Sequence, residues 1–342
     1  MSNLIFLKDL TPADLELWVQ KAGQPAYRAR QLLKWMYFQN VEDFRAMTDL
    51  SKDFRGWLQQ HARIPCLMLE KILSDEDGTR KLLFRLQDGE YIESVLIDEG
   101  QRLTLCVSSQ VGCALGCRFC LTGEAGLRRN LTTGEIVDQI CAARRVLGPD
   151  ERITNLVFMG MGEPLANFAQ VVKGLEIITA DRGLNFSTRK ITLSTVGLIP
   201  EMHRLSRLTP IKLAVSLHAA DNETRSRIMP INRRYPLQEL LDACRRLEVP
   251  RRQRITFEYL LLGDVNDSPT DARKLAMLLR GLRAKINLIP FNEYPGAVFD
   301  SPSPTRIAEF QEILQQKHYT ATIRQSRGTG IMAACGQLRH SG

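Results

Sequence analysis

Three of the eight cysteines, Cys113, Cys117 and Cys120, fall within eight residues in a C-x3-C-x2-C arrangement. Thiolates are soft ligands, suited to iron–sulfur clusters, zinc or copper. A [4Fe–4S] cube has four irons, so three thiolates leave one iron without a protein ligand. An open coordination position separates a catalytic metal site from a closed structural one, a distinction established for zinc. Gly112 and Gly116 permit the tight turns needed to aim three thiolates at one cube. The competing assignment is a closed zinc site with Cys106 as fourth ligand. Zinc sites ordinarily use paired C-x2-4-C units. No histidine lies between residues 62 and 202, so the cluster is the better reading.

Polar residues recur just after apolar runs further along the chain. Met159-Gly160-Met161-Gly162-Glu163-Pro164 lacks the Lys-Ser/Thr of a P-loop. Gly162 lets the backbone approach a ligand, and Glu163 offers an acceptor to an ammonium group. Ser194, the run Ser216-Leu217-His218, and Asn292 follow three later apolar runs. Any one of these fits a helix cap or turn. Four in succession behind a metal motif point to one shared ligand. Cys106 lies seven residues before the cluster motif, and Cys335 lies in a small-residue segment typical of a mobile loop. Cys66, Cys141 and Cys244 read as small buried hydrophobes.

The elements that position these residues follow from periodicity. Residues 1–65 carry helical spacing over 10–19, 29–38 and 50–61, with Thr11, Pro12 and Asp14 forming a helix start. They read as a small accessory helical domain. Residues 66–102 read as a β-rich linker region, punctuated by Asp-Gly at 77–78 and 88–89. From 103 to 342 strand and helix alternate. Strands are expected at 103–108, 153–159, 190–195, 211–217, 254–261, 285–290 and 319–324, with helices between them. Thr132 and Glu135 have capping-box spacing ahead of a helix that stops at Gly148-Pro149. This alternation predicts an α/β fold with a parallel sheet and right-handed crossovers, about six units closing partly into a barrel. Ligands then bind at the carboxyl ends of the strands.

The formal net charge is +8 over 342 residues, with arginines clustered at 128–129, 144–145, 233–234, 245–246 and 251–254. Such an excess favours a polyanionic partner, although any single pair can simply line a solvated helix face. Met1 to Glu16 is charged and unlike a signal peptide, and no apolar run approaches the length of a membrane span. The expected location is cytoplasmic, without membrane association. In that compartment a structural disulfide framework is not expected.

One ordered set of motifs is more specific. Tyr91-Ile92-Glu93-Ser94, Cys106 through Cys120, Arg129-Asn130-Leu131-Thr132, Gly162-Glu163-Pro164-Leu165, Ser216-Leu217-His218-Ala219, Asn287 through Asn292 and Ala334-Cys335-Gly336-Gln337-Leu338 run along the chain. Together they resemble the RlmN/Cfr family of radical-SAM RNA methyltransferases, from the helical N-terminus to the end. The resemblance implies a partial (β/α)6 radical-SAM barrel with a C-terminal catalytic loop. It implies a [4Fe–4S] cluster on Cys113, Cys117 and Cys120, with S-adenosylmethionine at Gly162, Glu163, Ser194, Ser216, Leu217, His218 and Asn292. It implies that Cys335 accepts a methyl group, that Glu93 removes a proton from the adenine, and that Cys106 resolves the adduct through a transient disulfide. Base rates alone would put Glu93 on an exposed strand face. The implied substrates are 23S rRNA and tRNA, methylated on adenine C2. The sister activity at C8 stays open, as does a non-catalytic Fe–S RNA-binding regulator. An electron donor such as flavodoxin is implied, and no oligomer. The family pattern is acidic near Thr329-Gly330 and this chain is not, which leaves the local RNA contacts open.

Overall fold

The computed structural model describes residues 4–339. Two short strands, β1 (Ile5–Phe6) and β2 (Ala62–Arg63), pair in parallel and tie the ends of the N-terminal unit together. Between them lie α1 (Pro12–Lys21), α2 (Tyr27–Leu33) and α3 (Lys52–His61). Thr11 and Asp14 form both halves of the expected capping box. The helix expected over 29–38 is regular only to Leu33. Residues Lys34–Phe38 continue it as a wider π-turn.

Residues 68–98, expected as a linker, form three antiparallel strands: β3 (Met68–Ser74), β4 (Arg80–Arg85) and β5 (Tyr91–Asp98). β5 pairs with β6 (Leu103–Cys106), so this region is continuous with the main sheet. Next come a small hairpin, β7 (Gln110–Gly112) and β8 (Leu127–Asn130), and between its strands α4 (Leu121–Glu124). Six crossovers follow. They comprise α5 (Thr133–Arg145), β9 (Asn155–Phe158), α6 (Phe168–Thr179), β10 (Ile191–Thr195), α7 (Ile199–Leu208), β11 (Lys212–Ser216), α8 (Asn222–Ile228), α9 (Leu237–Arg246), β12 (Ile255–Leu261), α10 (Pro269–Leu278), β13 (Ala284–Pro290), α11 (Pro304–Gln316) and β14 (Ala321–Ile323). The ten-stranded sheet runs in chain order from β3 to β14, and the seven strands from β6 onward, passing over β7 and β8, are parallel. This is the expected partial barrel, opened at one side and extended by three antiparallel strands.

The N-terminal unit shares one hydrophobic core with the barrel: Leu7, Leu15, Leu32 and Met36 belong to the same cluster as Ile136 and Ile140 of α5. Buried Lys8 pairs with buried Asp138 of α5. Asp138 also accepts the Leu67 N–H at 2.6 Å, and Asp9 accepts the Gly134 N–H at 2.6 Å. Without Lys8, buried Asp138 would keep only the longer ion pair to Arg145 at 3.8 Å, a costly arrangement. Residues 4–65 therefore brace the barrel helix α5. Arg145 of α5 adds an ion pair to Glu42 and a contact to Cys66 Sγ at 3.3 Å.

Candidate active site

The hairpin β7–β8 frames the cysteine loop. Gly112 sits at φ +76°, and a Cβ there would lie 1.8 Å from the Gly126 carbonyl oxygen, so only glycine lets the strands close. Cys113 N–H then donates to Gly126 O at 3.0 Å, and Cys120 N–H to Cys117 O at 3.1 Å. Cys113, Cys117 and Cys120 all line one cavity of about 150 Å³. Burial pushes the Cys113 thiol up to about 11 and raises Cys117 and Cys120 as well, and neighbouring thiols add to the effect at Cys113 and Cys117. Three buried sulfurs that repel one another as thiolates suit a site completed by a cationic centre. Among the described residues, the one group of three His, Cys, Asp or Glu ligand atoms lying within 4.8 Å of one another is Glu42, Cys66 and Asp138. A single tetrahedral zinc would hold its sulfurs ~3.8 Å apart, from a Zn–S length of ~2.3 Å. Cys113, Cys117 and Cys120 are not such a group, so their sulfurs stand wider apart than a single zinc requires. Cys106 does not line this cavity, which removes the fourth ligand of the zinc alternative. The Glu42–Cys66–Asp138 group already has Arg145 and Lys8 as its cations.

The strand ends close the rest of this cavity. Gly162, Glu163, Ser194, Ser216 and His218 line it, as expected of one shared ligand. Gly162 lies at φ +96°, with Gln110 2.5 Å from where a Cβ would be. Glu163 is buried, and burial pushes its carboxyl up to about 7 even though the Leu165 and Val196 N–H groups each donate to it at 3.0 Å. Leu217 and Asn292 stand apart. Leu217 is a core residue, with its N–H donated to Glu258 O and its carbonyl taken by Arg225. Asn292 lines a second cavity. Arg225, fully buried, donates to the carbonyls of Val196, Ser216 and Leu217 and to Asn232 Oδ1. It fixes two strand ends beneath the cysteine loop.

His218 takes a left-handed φ of +56°, and its Nδ1 accepts the Leu260 N–H at 3.0 Å. Its ring stands edge-on to Phe119 at 5.0 Å. Burial, with Arg225 nearby, drops its pKa from 6.5 to about 3. The native state thus holds His218 neutral where the unfolded chain protonates. This contribution is complete above the unfolded value of 6.5 and is lost as pH falls toward 3. Between about pH 6.5 and about pH 5 the loss is about 2 kcal/mol. Asparagine tolerates the left-handed backbone, so His218→Asn should flatten the urea-denaturation stability profile over that interval. An unchanged slope would mean that His218 is not the titrating group.

The second cavity, about 490 Å³, is the barrel lumen. Alternate residues of each strand face it: Val95 and Ile97, Thr104 and Cys106, Asn155 and Val157, Lys285 and Asn287. Met159, Glu258, Ile289 and Cys335 line both cavities and mark where they meet. Burial pushes the Cys106 thiol up to about 12, with Cys335 beside it adding to the shift and Arg324 opposing it. All eight cysteines are free thiols. The segment carrying Cys335 is docked rather than loose. Leu121 N–H donates to Gly336 O at 2.8 Å, Thr122 Oγ1 to Leu338 O at 2.5 Å, and Gln337 Nε2 to Glu293 O at 2.9 Å. Upstream, Gly328 and Gly330 donate their N–H groups to Asp77 and Asp75. The acidic groups beside Thr329-Gly330 thus come from the β3–β4 turn.

Glu93 is 4% exposed, against the base-rate expectation of a surface position. Lys81 Nζ pairs with one of its oxygens at 3.0 Å, and the Arg339 N–H donates to the other at 3.0 Å. Lys81 also donates to Met332 O at 3.1 Å, so the same ammonium holds Glu93 and the segment leading to Cys335. Glu258, Arg225, Arg324 and Lys81 escaped sequence reasoning. Glu258 alone left a signal: a carboxylate in the middle of Ile255–Leu261, a strand buried at every position.

A partial parallel barrel that feeds such a cysteine loop from its first parallel strand, with polar strand ends facing that loop, defines a radical-SAM enzyme. Residues 107–276 match the family described as the radical SAM superfamily. Residues 5–64 match the ribosomal RNA large subunit methyltransferase N-terminal domain. The Dual-specificity RNA methyltransferase RlmN of Syntrophobacter fumaroxidans is 53% identical over 98% of each chain. That of Geobacter sulfurreducens is 54% identical over 99% of this chain and 93% of its own. A crystal structure of a radical SAM methyltransferase from Sphaerobacter thermophilus superposes with a TM-score of 0.93 at 48% identity, covering 98% of this chain and 99% of that one. The chain belongs to the RlmN family of S-adenosylmethionine-dependent RNA methyltransferases. Among the described residues no helix is long and apolar enough to cross a membrane.

Proposed function

We propose that this enzyme methylates C2 of an adenosine in the peptidyl-transferase centre of 23S rRNA, and of the adenosine 3′ of the anticodon in some tRNAs, through a methyl group carried on Cys335. The observation that carries this reading is the position of Cys335, which lines both the cysteine-loop cavity and the lumen beside Cys106. Adenine C2 lies between two ring nitrogens and is electron-poor, so it does not attack a methyl electrophile. Cys113, Cys117 and Cys120 would hold a [4Fe–4S] cluster, and Gly162, Glu163, Ser194, Ser216 and His218 surround the place for S-adenosylmethionine. When bound, these groups supply a methyl group and one-electron cleavage of a carbon–sulfur bond.

The chain's own residues then have separate tasks. Cys335 sulfur takes the methyl in the first cavity and presents it to an adenine in the lumen. Glu93, kept beside Lys81, accepts the C2 proton. Cys106 thiolate attacks the Cys335 sulfur: an S–S bond forms as the sulfur–methylene bond breaks, the methylene carbon takes a proton to become the product methyl, and cellular thiols reduce the transient disulfide. The adenosine must leave its stack to enter. Exposed Arg118, Arg128 and Arg339 around the cysteine loop are placed to hold phosphates, together with residues 1–65. An electron donor such as flavodoxin supplies the reducing equivalent.

The test is anaerobic reconstitution with reductant, S-adenosylmethionine and an unmodified 23S rRNA fragment or tRNA, followed by nucleoside mass spectrometry. C2-methyladenosine is expected. C8-methyladenosine would assign the chain the sister activity, and an unmethylated product despite an active cluster would contradict the substrate.

A further inference from the structure

Glu258 is a charged residue in the middle of a fully buried strand, and no motif assigns it a role. It is 5% exposed. One carboxylate oxygen, Oε2, accepts from Ser194 Oγ at 2.9 Å. The other, Oε1, is buried and has no hydrogen-bond partner among the described residues. Arg324 and Lys285 lie close enough to offset its charge, and the Cys106 thiol faces it too, but none of them donates to Oε1. Buried carboxylates in folded proteins are ordinarily satisfied, and a single orphaned oxygen facing a cavity marks a ligand position. The cavity in question is the junction itself, where Glu258 stands with Met159, Ile289 and Cys335.

We propose that Glu258 binds the ribose of S-adenosylmethionine, its free oxygen accepting a hydrogen bond from a ribose hydroxyl. This rests on the function proposed above. A carboxylate is acceptor-only when ionised, so its ligand must bring an O–H or N–H donor. An adenosine offers both, as ribose hydroxyls and as the N6 amine. The ribose is favoured by position. The carbon that must reach the methyl on Cys335 is attached to the sugar ring, and Cys335 shares the junction with Glu258. An acidic side chain accepting from a ribose hydroxyl is also how dinucleotide sites hold the sugar. Ser194, which lines the cysteine-loop cavity, donates to the other oxygen and so fixes the carboxylate's orientation.

The test measures equilibrium binding of S-adenosylmethionine and its 2′-deoxy and 3′-deoxy analogues to anaerobically reconstituted enzyme, without RNA. For the wild type, loss of the contacted hydroxyl should weaken binding roughly 10- to 100-fold, the range for a hydrogen bond to a charged group. Glu258→Gln should weaken S-adenosylmethionine binding to a similar degree and make that analogue bind no worse than the parent. Unchanged S-adenosylmethionine affinity in Glu258→Gln would overturn the assignment. Unchanged affinity together with a loss of RNA product would give the carboxylate to the substrate adenosine instead. Should the variant fold poorly, equal wild-type affinity for all three ligands would still overturn it. A wild type that binds none of them would instead remove the proposed function.

Discussion

Cys335→Ala is expected to lower RNA methylation on the order of a thousandfold or more, as loss of a covalent nucleophile does elsewhere. Fold and cofactor binding should survive. The reasons are geometric. The segment around Cys335 is held through main-chain carbonyls of Gly336 and Leu338 and through the Gln337 side chain, none of which the substitution touches. Alanine removes one half-buried sulfur and leaves the docking intact. Reductive cleavage of S-adenosylmethionine needs only the cysteine loop and the strand ends, so the variant should still release 5′-deoxyadenosine. A variant that methylates RNA at the wild-type rate would exclude a methyl group carried on this sulfur. Concurrent loss of cofactor cleavage would mean that Cys335 supports the first cavity and not the transfer.

Cys117→Ala is expected to remove the cluster altogether. The one other thiol lining the cavity, Cys335, sits on a separate segment docked through Gly336, Gln337 and Leu338; Cys106 faces the lumen, and His218 is held by its hydrogen bond from the Leu260 N–H. Iron after reconstitution should fall from about four per chain to near zero. Both S-adenosylmethionine cleavage and methylation should disappear with it. The thermal midpoint of the apoprotein should change little, since burial keeps the Cys117 thiol protonated and no hydrogen bond to its sulfur is seen among the described residues. Retention of a full complement of iron in Cys117→Ala would show that the cluster is ligated elsewhere.

The repeated strand-and-helix pattern was readable because each unit is local: an apolar run, a capped amphipathic helix, and a glycine or proline stop. The cysteine spacing was readable for the same reason. What periodicity missed depends on pairings far apart in the chain. β3 is exposed along most of its length and carries no alternation, since it is the edge strand of the sheet. The β7–β8 hairpin is only three and four residues a side and is made by the contact of Gly112 with Gly126. Glu93 is buried because Lys81 on the neighbouring strand β4 and the backbone at Arg339 close over it. The Cys335 segment looks mobile in sequence because it is rich in small residues. In the fold those residues let it lie against the cysteine loop and the β3–β4 turn. Arg225 lies on the short helix α8, yet it is fully buried because three strand-end carbonyls need a donor there.

The central claim is that one sulfur serves two cavities, and peptide mass spectrometry of the intact enzyme tests it most directly. After anaerobic incubation with S-adenosylmethionine and no RNA, the peptide containing Cys335 should be heavier by one methylene unit, and the peptide containing Cys106 should be unchanged. Addition of unmodified RNA should then return the Cys335 peptide, after reduction of its disulfide to Cys106, toward its original mass as methylated adenosine forms. Product that forms while Cys335 stays unmethylated throughout would contradict the account.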